Sequence, residues 1–573
     1  MISHTYRQTG ELTGFPSVDK PWRKYYSDAE LNPVLPEGNM YEYLLKKNQD
    51  ALDDLALVYF NNKISYRKLF ENIDKTASAF ISLGVKKGDV VALAMPNIPE
   101  NIYCIYALNK IGAVADMIDL RSKGDVLKHY LKETKTKIAV ICDLFEENFY
   151  NVRNESNVEQ FIVASAFDLL PAPVRFVMKS KLKRRQRPEG TLTWKQFFGK
   201  NGNKTEMVSN SKDVACIFHT SGTTGVPKGV MLTNLNCNAM AYQGELCSLR
   251  FDRGKRIMNQ VPPFLAFNML CSLHVPLIKH MQMVLLPEYK PDKFAENIVK
   301  TKATCCLAGP ADWGNFLEDK RFINKNIDLS YMVNPISGSD SLTAKKKKEI
   351  NELLKSKGCM QGVLEGYGMT EIGSAACSNM PNANKDNSVG IPFALNNFCI
   401  YDNENDTELS YGELGEICMT GATLMKGYYN NPEETSKVIR KHADGLDWLH
   451  SGDLGYIDED GFIYIEGRIK RVIVCYDGIK IYPFNIERII MSHKNVSACC
   501  VVGADDKTNG RGKVPFAFVV LKDKTITSLD EIKSLCEKNL SEKYIPCDYR
   551  IIEELPLTDN GKIAYRKLEK MTE

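Results

Sequence analysis

Nowhere in its 573 residues does the chain hold an unbroken apolar run near the ~20 residues that cross a bilayer. Charge of one sign is missing too. Lysine and arginine number 74 against 71 aspartates and glutamates, a formal balance of +3, which argues against a nucleic-acid partner. Cysteine is plentiful, at 17, but without the spacing of a disulfide framework or a zinc-type Cys/His motif, and Cys305-Cys306 and Cys499-Cys500 are neighbours. Unpaired thiols in such number suit a reducing cytoplasm. The opening MISHTYRQTGELTGFPSVDKPW lacks the apolar core of a secretion signal. Internal repeats and low-complexity tracts are absent as well. A globular cytoplasmic protein is expected.

Length exceeds one ordinary core, so two or three domains are expected. Strand and helix signals alternate through the first part. VVALAM (Val90 to Met95), AVICDL (Ala139 to Leu144) and MVLLP (Met283 to Pro287) read as buried strands, and NIPENIYCIYALNKIGA reads as a helix. Such alternation predicts an α/β fold: a large N-terminal domain of mainly parallel sheets with covering helices. After Asp453, YIDEDGFIYIEGR reads as two strands around an Asp-Gly turn. The final ~100 residues mix short strands with helices, enough for a small α+β C-terminal domain. The boundary falls at 469/470, with Lys470 as the joint.

The densest chemical signal is TSGTTGVPKG, Thr220 to Gly229, between a strand-like run (Val214 to Phe218) and a helix from Asn234. Glycines let backbone amides turn toward an anion, hydroxyls add donors, and Lys228 supplies a mobile cation. That is phosphate-handling chemistry. It differs from the common nucleotide P-loop, because Val226-Pro227 separates Gly225 from Lys228.

Further motifs follow in order: YGMTE (Tyr367 to Glu371), GELGEI (Gly412 to Ile417), GYYNNPEET (Gly427 to Thr435), HSGDLG (His450 to Gly455), GRIKR (Gly467 to Arg471) and PLTDNGK (Pro556 to Lys562). With the glycine loop they resemble the adenylate-forming superfamily of acyl-CoA synthetases, peptide-synthetase adenylation domains and beetle luciferases. The resemblance covers most of the chain and is strongest to fatty acyl-CoA ligases. It implies ATP, Mg2+ and CoA as co-reactants. A carboxylate attacks the α-phosphate of ATP, pyrophosphate leaves, and the acyl adenylate passes its acyl group to a thiol. Charge builds up on both reactants in the first step, so the site must supply cations and aimed donors.

The resemblance implies roles residue by residue. Lys228 and the loop residues Thr220, Ser221, Gly222, Thr223, Thr224 and Gly225 hold the β- and γ-phosphates. Glu371 and the Thr220 hydroxyl approach the magnesium ion, and Thr370 meets the α-phosphate. Tyr367 lies against adenine; Gly338, Gly368 and Met369 belong to the same segment of the pocket. Asp453 accepts from the ribose hydroxyls and Arg468 donates to the same sugar. Lys562 bridges the acyl carboxylate and the α-phosphate. Rotation about Lys470 separates the two half-reactions, and the loop holding Gly478, Ile479 and Lys480 then lines the thiol tunnel.

Departures from the family pattern bear on the second half-reaction and the acyl pocket. The interval from Arg468 to Gly478 is one residue longer than usual, and Val474 stands where many members carry lysine. In VPPFLAFN (Val261 to Asn268), Leu265 replaces a histidine and Asn268 stands nearest the aspartate of amino-acid-activating relatives. An apolar wall without a carboxylate suits an uncharged apolar acyl group; the resemblance to fatty acyl-CoA ligases adds a medium- or long-chain fatty acid as the expected substrate. GSDSL (Gly338 to Leu342) resembles a carrier-protein serine motif, but its place before YGMTE assigns it to the adenine pocket.

Two alternatives are kept. One is a stand-alone ligase that loads a partner's carrier thiol instead of CoA; the other is a non-catalytic lipid or nucleotide sensor. The joint presence of Lys228, Glu371, Asp453, Arg468 and Lys562 weighs against the sensor. Finally, residues 169–188 place an apolar stretch before Lys179, Lys181, Lys183, Arg184, Arg185 and Arg187, a pattern suited either to contact with an anionic membrane or to a solvated face.

Overall fold

Alternating apolar runs become parallel strands in the computed structural model, which describes residues 12–180, 187–200, 202, 207–208, 210–220, 227–324, 326–340, 342–510, 512–523, 529–557 and 563–572. The contacts divide the chain into two units. The first comprises residues 1–398, 418–450 and 459–463; the second comprises 399–417, 451–458 and 464–573.

In the first unit, one sheet runs Leu192–Thr193, Gln160–Ala164, Ile138–Cys142, Val90–Ala94, Val114–Met117, Val214–Thr220, Lys228–Thr233 and Gly427–Tyr428. Its strands are parallel as far as Val214–Thr220 and antiparallel across the last two pairings. The second sheet has a parallel centre from Leu55–Tyr59 to Leu364–Tyr367, with antiparallel strands at both margins. Helix Pro99–Lys110 is buried at every position, as its apolar character on all faces requires. Val90–Ala94 and Ile138–Cys142 fall where the sequence places strands.

The glycine loop differs from the strand–loop–helix expectation. Val214–Thr220 and Lys228–Thr233 form an antiparallel hairpin, Thr220 opposite Lys228, and helix Asn234–Gln243 begins only afterwards, capped by Thr233. KGVMLT carries the β-branched Val230 and Thr233, so it serves as a strand although it is short.

In the second unit, Val496–Asp505 and Lys513–Leu521 pair antiparallel, and Asp548–Ile551 joins in parallel. Helices Pro483–Ser492 and Leu529–Asn539 cover one face through Ile486, Ile490, Ile532 and Cys536. Leu568 of helix Tyr565–Lys570 packs on the other with Cys500, Phe516 and Phe518. Successive strand residues point to opposite faces, so Cys499 enters the first core and Cys500 the second. That is why these neighbours stay thiols. In the same unit the Tyr456 and Tyr464 rings stack 4.6 Å apart.

Candidate active site

In the first unit, the site residues gather where parallel strands end. Thr220 ends Val214–Thr220 and is half-buried. Gly338 follows Asn334–Ser337, and Tyr367 ends the adjacent parallel strand Leu364–Tyr367, with Ser337 opposite Glu365. Ligand sites of open α/β sheets lie at such carboxyl ends. A Cβ at Gly338 would sit 3.6 Å from the Phe267 ring, an ordinary contact.

Gly368 is sterically obligatory. A Cβ would stand 2.0 Å from the Ser374 carbonyl, because the turn folds back so that the Ala376 N–H donates to the Tyr367 carbonyl at 2.9 Å. After Met369 the turn tightens into a short 3-10 helix, Thr370–Ile372, closed by Gly373 at φ 67°. Glu371 is thereby buried, and its Oε1 accepts from the Tyr428 hydroxyl at 2.9 Å. Burial and the neighbouring Glu371 carboxylate hold the Tyr428 phenol protonated, well above the ordinary range.

Tyr428 also meets Lys228, whose ammonium lies 4.9 Å from its ring centroid. Lys228 is nearly buried, its side chain 11% exposed, and pairs with Glu434. Bonds from Lys228 and then Lys437 pull the Glu434 carboxyl down to about 2. Glu434 sits in the first turn of helix Pro432–Val438, its N–H received by the Asn431 cap at 3.1 Å. Strand Gly427–Tyr428 pairs with Lys228–Thr233, and the Met425 N–H donates to the Glu371 carbonyl at 2.8 Å. One segment, Gly427 to Thr435, thus touches both the cationic Lys228 and the anionic Glu371. Sequence reading used it only as a family marker. Tyr428 and Glu434 were missed because their contacts lie 57 and 206 residues away.

At the end of strand Val214–Thr220 lies a second group that the sequence does not announce. His219 Nε2 is 2.6 Å from Asp116 Oδ1, the Tyr130 ring lies 3.9 Å from the His219 ring, and His129 Nε2 reaches the Pro227 carbonyl at 3.2 Å. Burial raises the pKa of Glu133 in the same group, with His129 and His219 opposing.

The expected acyl wall is partly corrected. Leu265 is half-buried, but Asn268 is fully buried in an amide cluster, donating to Asn259 Oδ1 at 2.5 Å and to Asn97 Oδ1 at 3.3 Å. It spends its donors on neighbouring amides and carbonyls, so its place is structural. Phe267, beside Gly338, is the aromatic at this wall.

In the second unit, Asp453 and Arg468 come together as the resemblance implies. Arg468 Nε lies 2.7 Å from Asp453 Oδ1, and another guanidinium nitrogen donates to the Ser451 carbonyl at 3.2 Å. Ser451 Oγ accepts from the Asp453 N–H at 3.0 Å and donates to the Ile417 carbonyl at 2.6 Å. Gly452 makes the turn at φ 71°, and its N–H donates to Glu416 at 2.7 Å. Gly478, at φ 84°, closes the turn between Ile473–Val474 and Lys480–Ile481. Val474, Tyr476 and Ile479 are exposed there, while Lys480 pairs with Glu404 and Lys543 with Asp477. Ser221, Gly222, Thr223, Thr224, Gly225 and Lys562 lie outside the described residues.

Hard oxygen donors suit magnesium. Glu371 offers a carboxylate that accepts at about four positions, of which the Tyr428 hydroxyl takes one. Thr220 adds a hydroxyl at the strand end. This donor set fits Mg2+.

Comparison with known proteins agrees with this geometry. The family model for AMP-binding enzymes matches residues 45–429, and that for the AMP-binding enzyme C-terminal domain matches 485–562. A long-chain-fatty-acid–CoA ligase of Bacillus subtilis is 29% identical over 569 residues, covering 97% of this chain and 98% of the relative. A probable 4-coumarate–CoA ligase of Dictyostelium discoideum is 28% identical over 555 residues, covering 95% and 97%. Among solved structures, the fold matches ATP-bound MatB from Rhodopseudomonas palustris with a TM-score of 0.80 at 24% identity, over 93% of this chain and 98% of that one. With both models matched in order, the chain belongs to the AMP-binding enzyme family.

Proposed function

We propose that the protein is an AMP-forming acyl-CoA ligase. It activates an apolar carboxylic acid, a medium- or long-chain fatty acid, with ATP to acyl-AMP and pyrophosphate, then transfers the acyl group to the thiol of CoA. The observation that carries this reading is the joining of Lys228 and Glu371 through Tyr428 and Glu434 at the strand ends. Cation and carboxylate are thereby both held against Tyr428 before any nucleotide arrives, which is electrostatic preorganisation.

Lys228 and the loop amides of Ser221 to Gly225 receive the β- and γ-phosphates. Glu371 and Thr220 would hold Mg2+, which neutralises phosphate charge when bound. Thr370 donates to the α-phosphate. Tyr367 covers adenine, with Gly338, Gly368 and Met369 shaping that pocket, and Asp453 and Arg468 hold the ribose. Lys562 offsets the repulsion between the carboxylate and the α-phosphate. We place the joint at Lys470, between an AMP-binding domain of residues 1–469 and a C-terminal domain of residues 470–573; Gly478, Ile479 and Lys480 then line the path of the thiol.

No described helix is long and apolar enough to cross a membrane. Peripheral contact belongs to the proposal nonetheless. Helix Ala172–Ser180 exposes Val174, Phe176 and Val177, Phe176 at 76%, beside Arg175 and Lys179. Lys181, Lys183, Arg184 and Arg185 lie outside the described residues.

The test is pyrophosphate release across a panel of carboxylic acids, with and without CoA. Apolar monocarboxylic acids should be consumed with CoA and free α-amino acids poorly. Activity that requires an acyl-carrier protein in place of CoA would instead establish the carrier-loading alternative.

A further inference from the structure

Apart from the residues assigned above, Cys418, His442 and His450 of the first unit form a compact set. One ligand atom from each lies within 4.8 Å of the others. Cys418 belongs to strand Gly415–Gly421 and His450 to its neighbour Asp447–Ile457; His442 follows Ile439–Lys441, the hairpin partner of that second strand. Sheet pairing therefore positions Cys418 and His450, while His442 stands in the turn after its strand, its N–H donating to the Leu446 carbonyl at 3.1 Å.

Cys418 is fully buried and His450 is 5% exposed. His442 is half-buried, its ring stacked on Trp448 at 5.2 Å and 10°. Trp448 is itself fixed, its Nε1 donating to Asp444 at 3.1 Å. Cys418 Sγ lies 3.4 Å from His450 Nδ1, and His450 Nε2 lies 3.0 Å from His442 Nε2.

A thiol with two imidazoles is a soft-to-borderline donor set, unlike the hard oxygens around Glu371. Zinc takes sulfur at ~2.3 Å and nitrogen at ~2.0–2.1 Å in tetrahedral sites, which puts neighbouring donors roughly 3.3–3.6 Å apart. The 3.4 and 3.0 Å contacts use different nitrogens of His450, of which one ion can take only one; with one donor atom per residue the three lie within 4.8 Å of one another, and they draw together on binding. His442 is the ligand at the half-buried edge. Cysteine and histidine at these intervals match none of the short zinc spacings, so the site is invisible in the sequence.

We propose that Cys418, His442 and His450 bind one zinc-class divalent transition-metal ion, leaving a fourth position for water. On binding, the Cys418 thiol releases its proton to solvent and forms the sulfur–metal bond. Each neutral imidazole gives one nitrogen lone pair, and nothing is oxidised or reduced.

The test uses the full chain, stripped with a chelator under reducing conditions. Zinc is titrated in competition with a chromophoric chelator, and cobalt is added in parallel to read thiolate-to-cobalt charge transfer. One equivalent should bind, raise the melting temperature and, as cobalt, give the charge-transfer band. Cys418→Ser should abolish the band, and His442→Gln should weaken zinc binding at least about tenfold. Cys547→Ser removes the exposed thiol and should change neither. If Cys418→Ser does not fold, His442→Gln, checked by thermal melt, decides the matter. Absence of the band in the parent, or parent-like zinc affinity in His442→Gln, would overturn the proposal and leave a hydrogen-bonded thiol–imidazole relay.

Discussion

Tyr428 shows how one hydroxyl can govern the carboxylate proposed to hold magnesium, without replacing it. Its bond to Glu371 Oε1, at 2.9 Å within a buried setting, fixes which way that carboxylate faces. Hydrogen bonds to charged groups are worth about 1.5–3 kcal/mol. Tyr428→Phe should therefore raise the magnesium concentration needed for half-maximal pyrophosphate release by about tenfold, while Glu371→Gln should do so more strongly. A magnesium titration of both variants checks this; parent-like dependence in Tyr428→Phe would remove its positioning role. Glu434 poses the opposite question, because its carboxylate occupies Lys228. Incoming phosphates must compete with it, so Glu434→Gln, which keeps the volume and loses the charge, should lower the KM for ATP severalfold. Its carboxyl titrates near 2 in the fold, below the ordinary ~4.3 of an unfolded glutamate. The stabilising contribution of the pair is thus complete above pH ~4.3 and fades as pH falls toward 2. Melting curves of parent and variant should converge over that interval and keep a constant gap above it.

Among elements, the turn after strand Leu364–Tyr367 is the most constrained. Gly368→Ala would drive a Cβ to 2.0 Å from a backbone carbonyl, and backbone has no rotamer with which to yield. A loss of about 3 kcal/mol is expected, with ATP-dependent activity falling further because Thr370 and Glu371 ride on the same turn. Thermal melts and pyrophosphate assays at a temperature where the variant is folded separate the two effects. Helix Ala172–Ser180 carries a different prediction. Phe176→Ser with Val177→Ser should reduce binding to anionic vesicles without altering activity on a soluble acid, since both side chains are exposed. A parent protein that ignores such vesicles at low salt would assign this helix to solvent. The strands were legible because their apolar runs are buried from both sides. The hairpin after the glycine loop was not: KGVMLT is short, and its β character depends on pairing with Val214–Thr220 and with Gly427–Tyr428. Asn268 misled for a related reason. Its position, where amino-acid-activating relatives carry an aspartate, suggested the acyl wall, whereas Asn97 and Asn259, brought in by tertiary folding, accept from its amide.

At the scale of the whole molecule, the two half-reactions make opposite demands. Joining a carboxylate to an α-phosphate needs a cation between two anions, whereas thioester formation needs that space for a thiol. The proposed joint, Lys470, lies between two fixed arginines. Arg468 is tied to Asp453 at 2.7 Å, and Arg471 to Glu487, to the Val501 carbonyl at 3.2 Å and to the Tyr565 ring at 4.1 Å. Between these anchors Lys470 is exposed in the short 3-10 helix Ile469–Arg471. Two fixed arginines flanking an exposed lysine confine any change of φ and ψ to a few bonds. Lys470→Pro locks φ near −65° and also restricts Ile469, yet proline is tolerated so early in a helical turn, so the fold should survive. This variant should release pyrophosphate in a first turnover and fail to form thioester. Lys562→Ala should show the converse: adenylation crippled, but transfer from supplied acyl-AMP to CoA largely kept, because the ammonium is needed only while the two anions meet. Each half-reaction is assayed separately in both variants, with folding confirmed by melts. Equal loss of both half-reactions in Lys562→Ala would make that lysine structural, and normal thioester formation by Lys470→Pro would move the joint elsewhere in the chain.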